Sequence, residues 1–309
     1  MTPTSSPSSP TEPAPPTNDR PDDDGELLVE LGQRWTTLGE LGQVLPLAVG
    51  TDRSFSFREM TLALRRQVAQ GCAPLRGKES STGLASHALA LSLQTLQGVD
   101  LTRLKPEEAA LLVRMLPWSS VICLVSAMQV EQAGDDRLEL RDVRCPVCRH
   151  LHRQLTVCLS EMRVRVYGDL GELPEIEVEL ERGLSYPSGK TSRWVRLRPA
   201  RWDALASLAD DELENQAIVT TALLASAICG LDTVEGEFSP SREIVERLHS
   251  RDADLLDREH ALLAGGPTMV VPARCGEHTF HVPYDWRRAS FFGSAAATSR
   301  SSTRRLRRR

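Results

Sequence analysis

Two short motifs, Cys145-Pro-Val-Cys148 and Cys275-Gly-Glu-His278, constrain this chain more than any other feature. Each places two metal-capable side chains at the same spacing between runs that alternate like strands, and the two lie 130 positions apart, from 145 to 275. A C-x2-C pair at a strand-to-strand turn is half of a ribbon-type zinc site and needs a second pair from elsewhere. Cys275 and His278 supply one, and three sulfurs with one imidazole suit tetrahedral Zn²⁺ as a structural ion. Such a site pins the end of the chain to its middle. Closing a loop of that length costs roughly 4 to 5 kcal/mol, whereas structural zinc binding in small peptides is worth about 10 to 16 kcal/mol. The metal term is the larger.

Other readings of the same residues stay open at this point. A redox C-x2-C normally opens a helix, and a strand pattern follows here. Two buried, inert thiols could match in spacing by chance. His150, His152 and His281 stand close enough in sequence to compete with His278 for the fourth position.

Around the motifs the expected fold class is α+β: helical blocks about a zinc-ribbon-like β-hairpin core, with disordered arms at both ends. Residues 1–26 are Pro, Ser, Thr and Asp with too little apolar surface to offset ordering entropy. Residues 27–134 are expected to be mainly helical. Helical spacing runs through FREMTLALRRQVAQG and SHALALSLQTLQG, with Gly71 and Gly98 as caps, and KPEEAALLVRMLP places Pro106 and two acids in a first turn. The β-branched run SSVICLVSAMQV reads as a strand. Residues 135–293 form the ribbon and helical region: RLELRDVRC and HLHRQLTVCL flank the thiol turn, and PEIEVELERG pairs with RWVRLRP. A helical stretch includes SPSREIVERLHS, capped by Ser239, before the hairpin that carries Cys275 and His278 closes the body. Residues 294–309 are an arginine-rich tail.

Several functions lack their residues. SGKT at 188–191 has the wrong upstream glycine spacing for a P-loop and precedes a strand pattern, so a hairpin turn is expected. No nucleophile elbow, H-E-x-x-H or kinase set occurs, and a non-enzyme without a small-molecule substrate is the expectation. A metal-dependent hydrolase would need an open coordination position and a carboxylate base. No apolar run is long enough to span a bilayer and the start lacks a secretory signal, so a cytoplasmic product is expected, with its seven cysteines reduced. The net charge is −5, and without the six tail arginines the rest stands near −11. That tail could neutralise nucleic-acid phosphates, which makes a zinc-ribbon nucleic-acid-binding protein the alternative. Aromatic interleaving is absent from the tail, so stacking readout is not expected.

Over residues 50 to 293 the layout resembles the zinc-site-bearing baseplate hub and assembly proteins of contractile phage tails and phage-derived injection particles. The resemblance rests on a helical N-terminal block, a CPxC ribbon half in LELRDVRCPVCRHLHRQLTV, a second helical block, and a second half with an aromatic segment, CGEHTFHVPYDWRRASFF. His278 stands where the family pattern has a cysteine, and the two arms fall outside it. The resemblance implies a non-enzymatic part of a tail-like particle, with other baseplate, spike or tube proteins as partners.

Overall fold

A computed structural model describes residues 32–286 apart from 49, 135, 187, 188, 233, 235 and 237. The expected arms at 1–26 and 294–309 lie outside the described residues. The structure mixes α and β, and every pairing between its named strands is antiparallel.

The first half is more mixed than its sequence suggests. It opens with β1 (Gln33–Thr37) and α1 (Leu38–Leu41), where Thr37 and Glu40 form a capping box. There follow β2 (Phe55–Phe57), α2 (Leu62–Cys72), α3 (Ser81–Ser92), β3 (Leu93–Leu96), β4 (Val99–Asp100), α4 (Pro106–Met115) and α5 (Trp118–Ala133). Gly71 lies inside α2 rather than capping it. LQTLQG after α3 is a strand and turn, with Gly98 at φ 73 allowing β3 to reverse into β4. α4 begins at Pro106 as expected, with Glu107 and Glu108 in its first turn.

The run SSVICLVSAMQV is not a strand: it lies within α5, the 16-residue helix through the core. Val121, Ile122, Cys123, Leu124, Val125 and Met128 are all buried, so burial on every side erases the amphipathic period that marks surface helices. The buried serines find carbonyls: Ser119 donates to Ala264, Ser120 to Leu47 and Ser126 to Ile122 one turn back.

The second half contains β5 (Arg137–Arg144), β6 (Leu151–Cys158), β7 (Arg163–Tyr167), β8 (Ile176–Ser185), β9 (Thr191–Leu197), α6 (Asp203–Ala206), α7 (Gln216–Ala227) and β10 (Ile228–Leu231). It ends with α8 (Arg242–Val245), α9 (Ser250–Ala264), β11 (Gly266–Pro267), β12 (Val270–Cys275) and β13 (His278–Pro283). The residue at the N-cap of α8 is Ser241, two positions after the expected Ser239. β7 brings together distant parts of the sequence by pairing with β1 on one side and β11 on the other. Of SGKT, Gly189 at φ 78 donates to the Tyr186 carbonyl at 2.9 Å and Thr191 opens β9, a reversal between β8 and β9 unlike a phosphate-binding loop.

One buried carboxylate ties α9 to the sheet. Asp252 accepts the backbone N–H groups of Glu181, Arg182 and Gly183 at 2.8, 3.0 and 3.2 Å, where the β8 to β9 register shifts. Gly183 has φ 85, and a Cβ there would meet the Ser192 carbonyl oxygen at 2.6 Å. Asp252→Asn turns one acceptor into a donor facing donors, so urea unfolding should show a loss of about 1 to 2 kcal/mol.

Candidate metal centre

The β5–β6 hairpin turns through Cys145-Pro-Val-Cys148-Arg149-His150. Its backbone closes twice: Cys145 N–H donates to the His150 carbonyl at 2.9 Å, and Arg149 N–H donates to the Cys145 carbonyl at 3.0 Å. Arg149 takes a left-handed conformation at φ 62 to complete the reversal. This tight turn aims the N–H groups of Cys148 and Val147 at the Cys145 sulfur, and the bond from Cys148 is the main cause that holds the Cys145 thiol below its ordinary pKa.

The β12–β13 hairpin brings the second half-site. Cys275 and His278 face each other in register across the two-residue loop Gly276-Glu277. Gly276 sits at φ 59, the positive value that the first position of a type II′ hairpin turn requires. β12 packs against β6. Phe280 of β13, buried, stacks on the His152 ring of β6 with centroids 6.4 Å apart. That contact seats one hairpin on the other.

The half-sites meet. Cys148 Sγ lies 3.5 Å from Cys275 Sγ, and ligand atoms of Cys145, Cys148 and His278 all fall within 4.8 Å of one another. Tetrahedral ligands at about 2.0 to 2.3 Å from an ion are roughly 3.5 Å apart, so the sulfur pair already has that spacing. Among the described residues, His278 Nδ1 is buried with no hydrogen-bond partner, and an ion among the sulfurs is the type of neighbour such a nitrogen lacks. Cys275, the fourth expected ligand, stands at the edge of this group: its sulfur touches that of Cys148, but it is not among the three residues whose ligand atoms all lie within 4.8 Å of one another. Burial, reinforced by the Cys148 and Cys145 thiols, pushes its pKa up to about 11. Three sulfurs compete for negative charge in one place, and a cation removes the competition.

The competing histidines fall elsewhere. His152 packs on Phe280, His150 meets His152 edge to face at 4.7 Å, and His281 is exposed opposite Pro272 on β12. The thiols of Cys72, Cys123 and Cys229 are raised mainly by burial, the state of inert core cysteines. Among the described residues, Cys145, Cys148 and His278 are the one group of this kind able to hold a metal ion.

Sequence reasoning missed the support around this centre, the Phe280–His152 stack and the return of the chain onto the core just after it. Tyr284 donates to Gln129 Oε1 at 2.7 Å, and Trp286 meets the buried Trp202 ring with centroids 5.3 Å apart. The signal was present in the alternation of HTFHVPY, which sends Phe280, Val282 and Tyr284 to one side.

Neither family models nor curated proteins nor solved structures contain a match to this chain. Among the described residues, no helix is long and apolar enough to cross a membrane.

Proposed function

We propose that this protein is a non-enzymatic structural or assembly component of a phage-tail-like contractile injection baseplate or hub, stabilised by a structural zinc held by Cys145, Cys148, Cys275 and His278. The observation that carries the reading is the meeting of the two half-sites from hairpins 130 positions apart in sequence. It supports the ordering on which the resemblance rests: helical block, CPxC ribbon half, helical block, and a second half with aromatic residues close behind. Zinc is favoured over harder ions because the donors are sulfur and imidazole, and over a catalytic role because no carboxylate belongs to the donor set. A closed shell of four protein ligands leaves no position for substrate water. The zinc then fixes the geometry of a surface that meets baseplate, spike or tube proteins, with assembly taking place in the cytoplasm.

The test is co-expression with the products of the adjoining genes. Stable co-purification with a spike, tube or baseplate protein, lost in the Cys145→Ser variant, is the expected result. If the genes on either side encode no tail-like proteins and the chain purifies alone, this reading fails.

A further inference from the structure

Cys148 and Cys275 offer a second way of joining the two hairpins. Their sulfurs lie 3.5 Å apart across 127 positions of sequence, and a disulfide needs about 2.0 Å. The gap is small, and both residues stand at the ends of hairpin turns. Cys148 is exposed, between exposed Val147 and Arg149, and Cys275 beside it is half-buried. Oxidants reach exposed thiols first, and a sulfur in contact with the one attacked is placed to resolve it. Cys145 also stands near both sulfurs, but it is fully buried, and the N–H groups of Cys148 and Val147 engage its sulfur inside its own turn. A bond between the two thiols of the C-x2-C motif would disturb that turn. A bond from Cys148 to Cys275 leaves it in place.

We propose that Cys148 and Cys275 are an oxidation site at which a disulfide across the two hairpins takes the place of the zinc, an extension that rests on the metal reading above. A peroxide supplies the oxidising equivalents. The Cys148 sulfur attacks the O–O bond of hydrogen peroxide, becomes a sulfenic acid and leaves one water. The Cys275 sulfur then attacks Cys148, which forms the S–S bond and expels the hydroxyl as a second water. Counted from the free thiols, the pair gives up two electrons and two protons, and the peroxide becomes two waters. The ion leaves as Zn²⁺, unchanged in oxidation state, because Cys145 and His278 alone are too few for a structural site. The new bond closes the same long loop as the metal does. The clamp on the β12–β13 hairpin therefore survives a change from reducing to oxidising surroundings.

The test treats the full, zinc-loaded wild-type chain with hydrogen peroxide and follows zinc release with a chromogenic chelator. Peptide mapping without reduction then locates the bond. Trypsin should yield residues 145–149 joined to residues 275–287, and fragmentation of that pair should place the bond on Cys148. Zinc should be released in step with the cross-link, about one ion for each bond formed. The oxidised protein should melt at the same temperature with and without strong chelation, whereas chelation lowers the melting of the reduced protein. Thiol reductant with added zinc should reverse both changes. A bond between Cys145 and Cys148, or oxidation to sulfinic acid with no cross-link, overturns the proposal, and so does zinc that stays bound after the cross-link has formed. A wild type that binds no zinc overturns the exchange together with the metal reading. Zinc that is bound and then lost without the Cys148–Cys275 bond overturns the exchange alone.

Discussion

Cys145→Ser is expected to release the metal and separate the β12–β13 hairpin from the β5–β6 hairpin. The serine keeps the turn but offers a hard, protonated oxygen in place of the sulfur on which two backbone N–H groups converge. The expected loss is large. A structural zinc worth about 10 to 16 kcal/mol, less the roughly 4 to 5 kcal/mol of closing so long a loop, leaves on the order of 5 to 12 kcal/mol, comparable to the whole stability of an ordinary domain. Metal analysis of wild-type protein should find about one zinc per chain, and strong chelation should reproduce the variant's lowered melting temperature. His278→Ala should act in the same direction. His278→Cys should retain metal, because a fourth sulfur completes another familiar zinc shell. Wild-type protein that binds no zinc, or melting unchanged in Cys145→Ser, rejects the site.

Protonation provides a second reading of the same centre. The metal requires thiolates, so acidification and chelation should cooperate in releasing it. The order of loss is informative about geometry. N–H donors hold the Cys145 thiol below its ordinary pKa, whereas burial raises that of Cys275. If both hairpins share the ion, as proposed, release of β12–β13 and release of the ion should be one event.

That Cys145, Cys148 and His278 come together was legible in the sequence because ligand spacing is a local property: a two-residue gap at a hairpin turn carries its own geometry. The strand pairs β5–β6, β8–β9 and β12–β13 were legible for a related reason, since alternation survives wherever one face of a hairpin stays wet. α5 was not. Once every side of a helix is covered, as around Val121 to Val125, apolar periodicity vanishes and β-branched composition points the wrong way. β1 and β7 were missed for the opposite reason. QRWTT and RVRVY are short and carry charge, and what makes them strands is a pairing between residues more than a hundred positions apart, Gln33 with Tyr167 through Thr37 with Arg163. No local signal encodes a partner at that distance. The contact of β13 with β6 was similarly hidden, because Phe280 needs His152 to be stacked at all.

His260 is expected to make the protein acid-sensitive well above the pH at which its carboxylates protonate. Its ring is fully enclosed on α9, its Nε2 accepts the Ala200 N–H at 3.1 Å, and burial alone pushes its pKa from 6.5 down to about 4. In the folded state the ring therefore stays neutral, while in the unfolded chain it takes up a proton below 6.5. Because the folded pKa is the lower one, the His260 contribution is complete above pH 6.5 and is lost as pH falls from 6.5 towards 4, by roughly 3 kcal/mol in all. His87, lowered mainly by burial and also by Arg114, pulls in the same direction. Asp257, raised by burial and by Asp254, opposes them, over a lower window that begins near the carboxylate range. His260→Gln separates the contributions: its amide oxygen can still accept from Ala200, but it does not titrate. Denaturant unfolding measured at steps between pH 7 and pH 4.5 should show a steep fall in the wild type and a clearly shallower one in the variant. Equal slopes would mean that the ring is reached by water and carries its proton in the folded state. A shallower slope would place the link between α9 and the turn before α6 as the point where acid first opens this fold, since protonation of Nε2 replaces an acceptor facing Ala200 with a donor facing a donor.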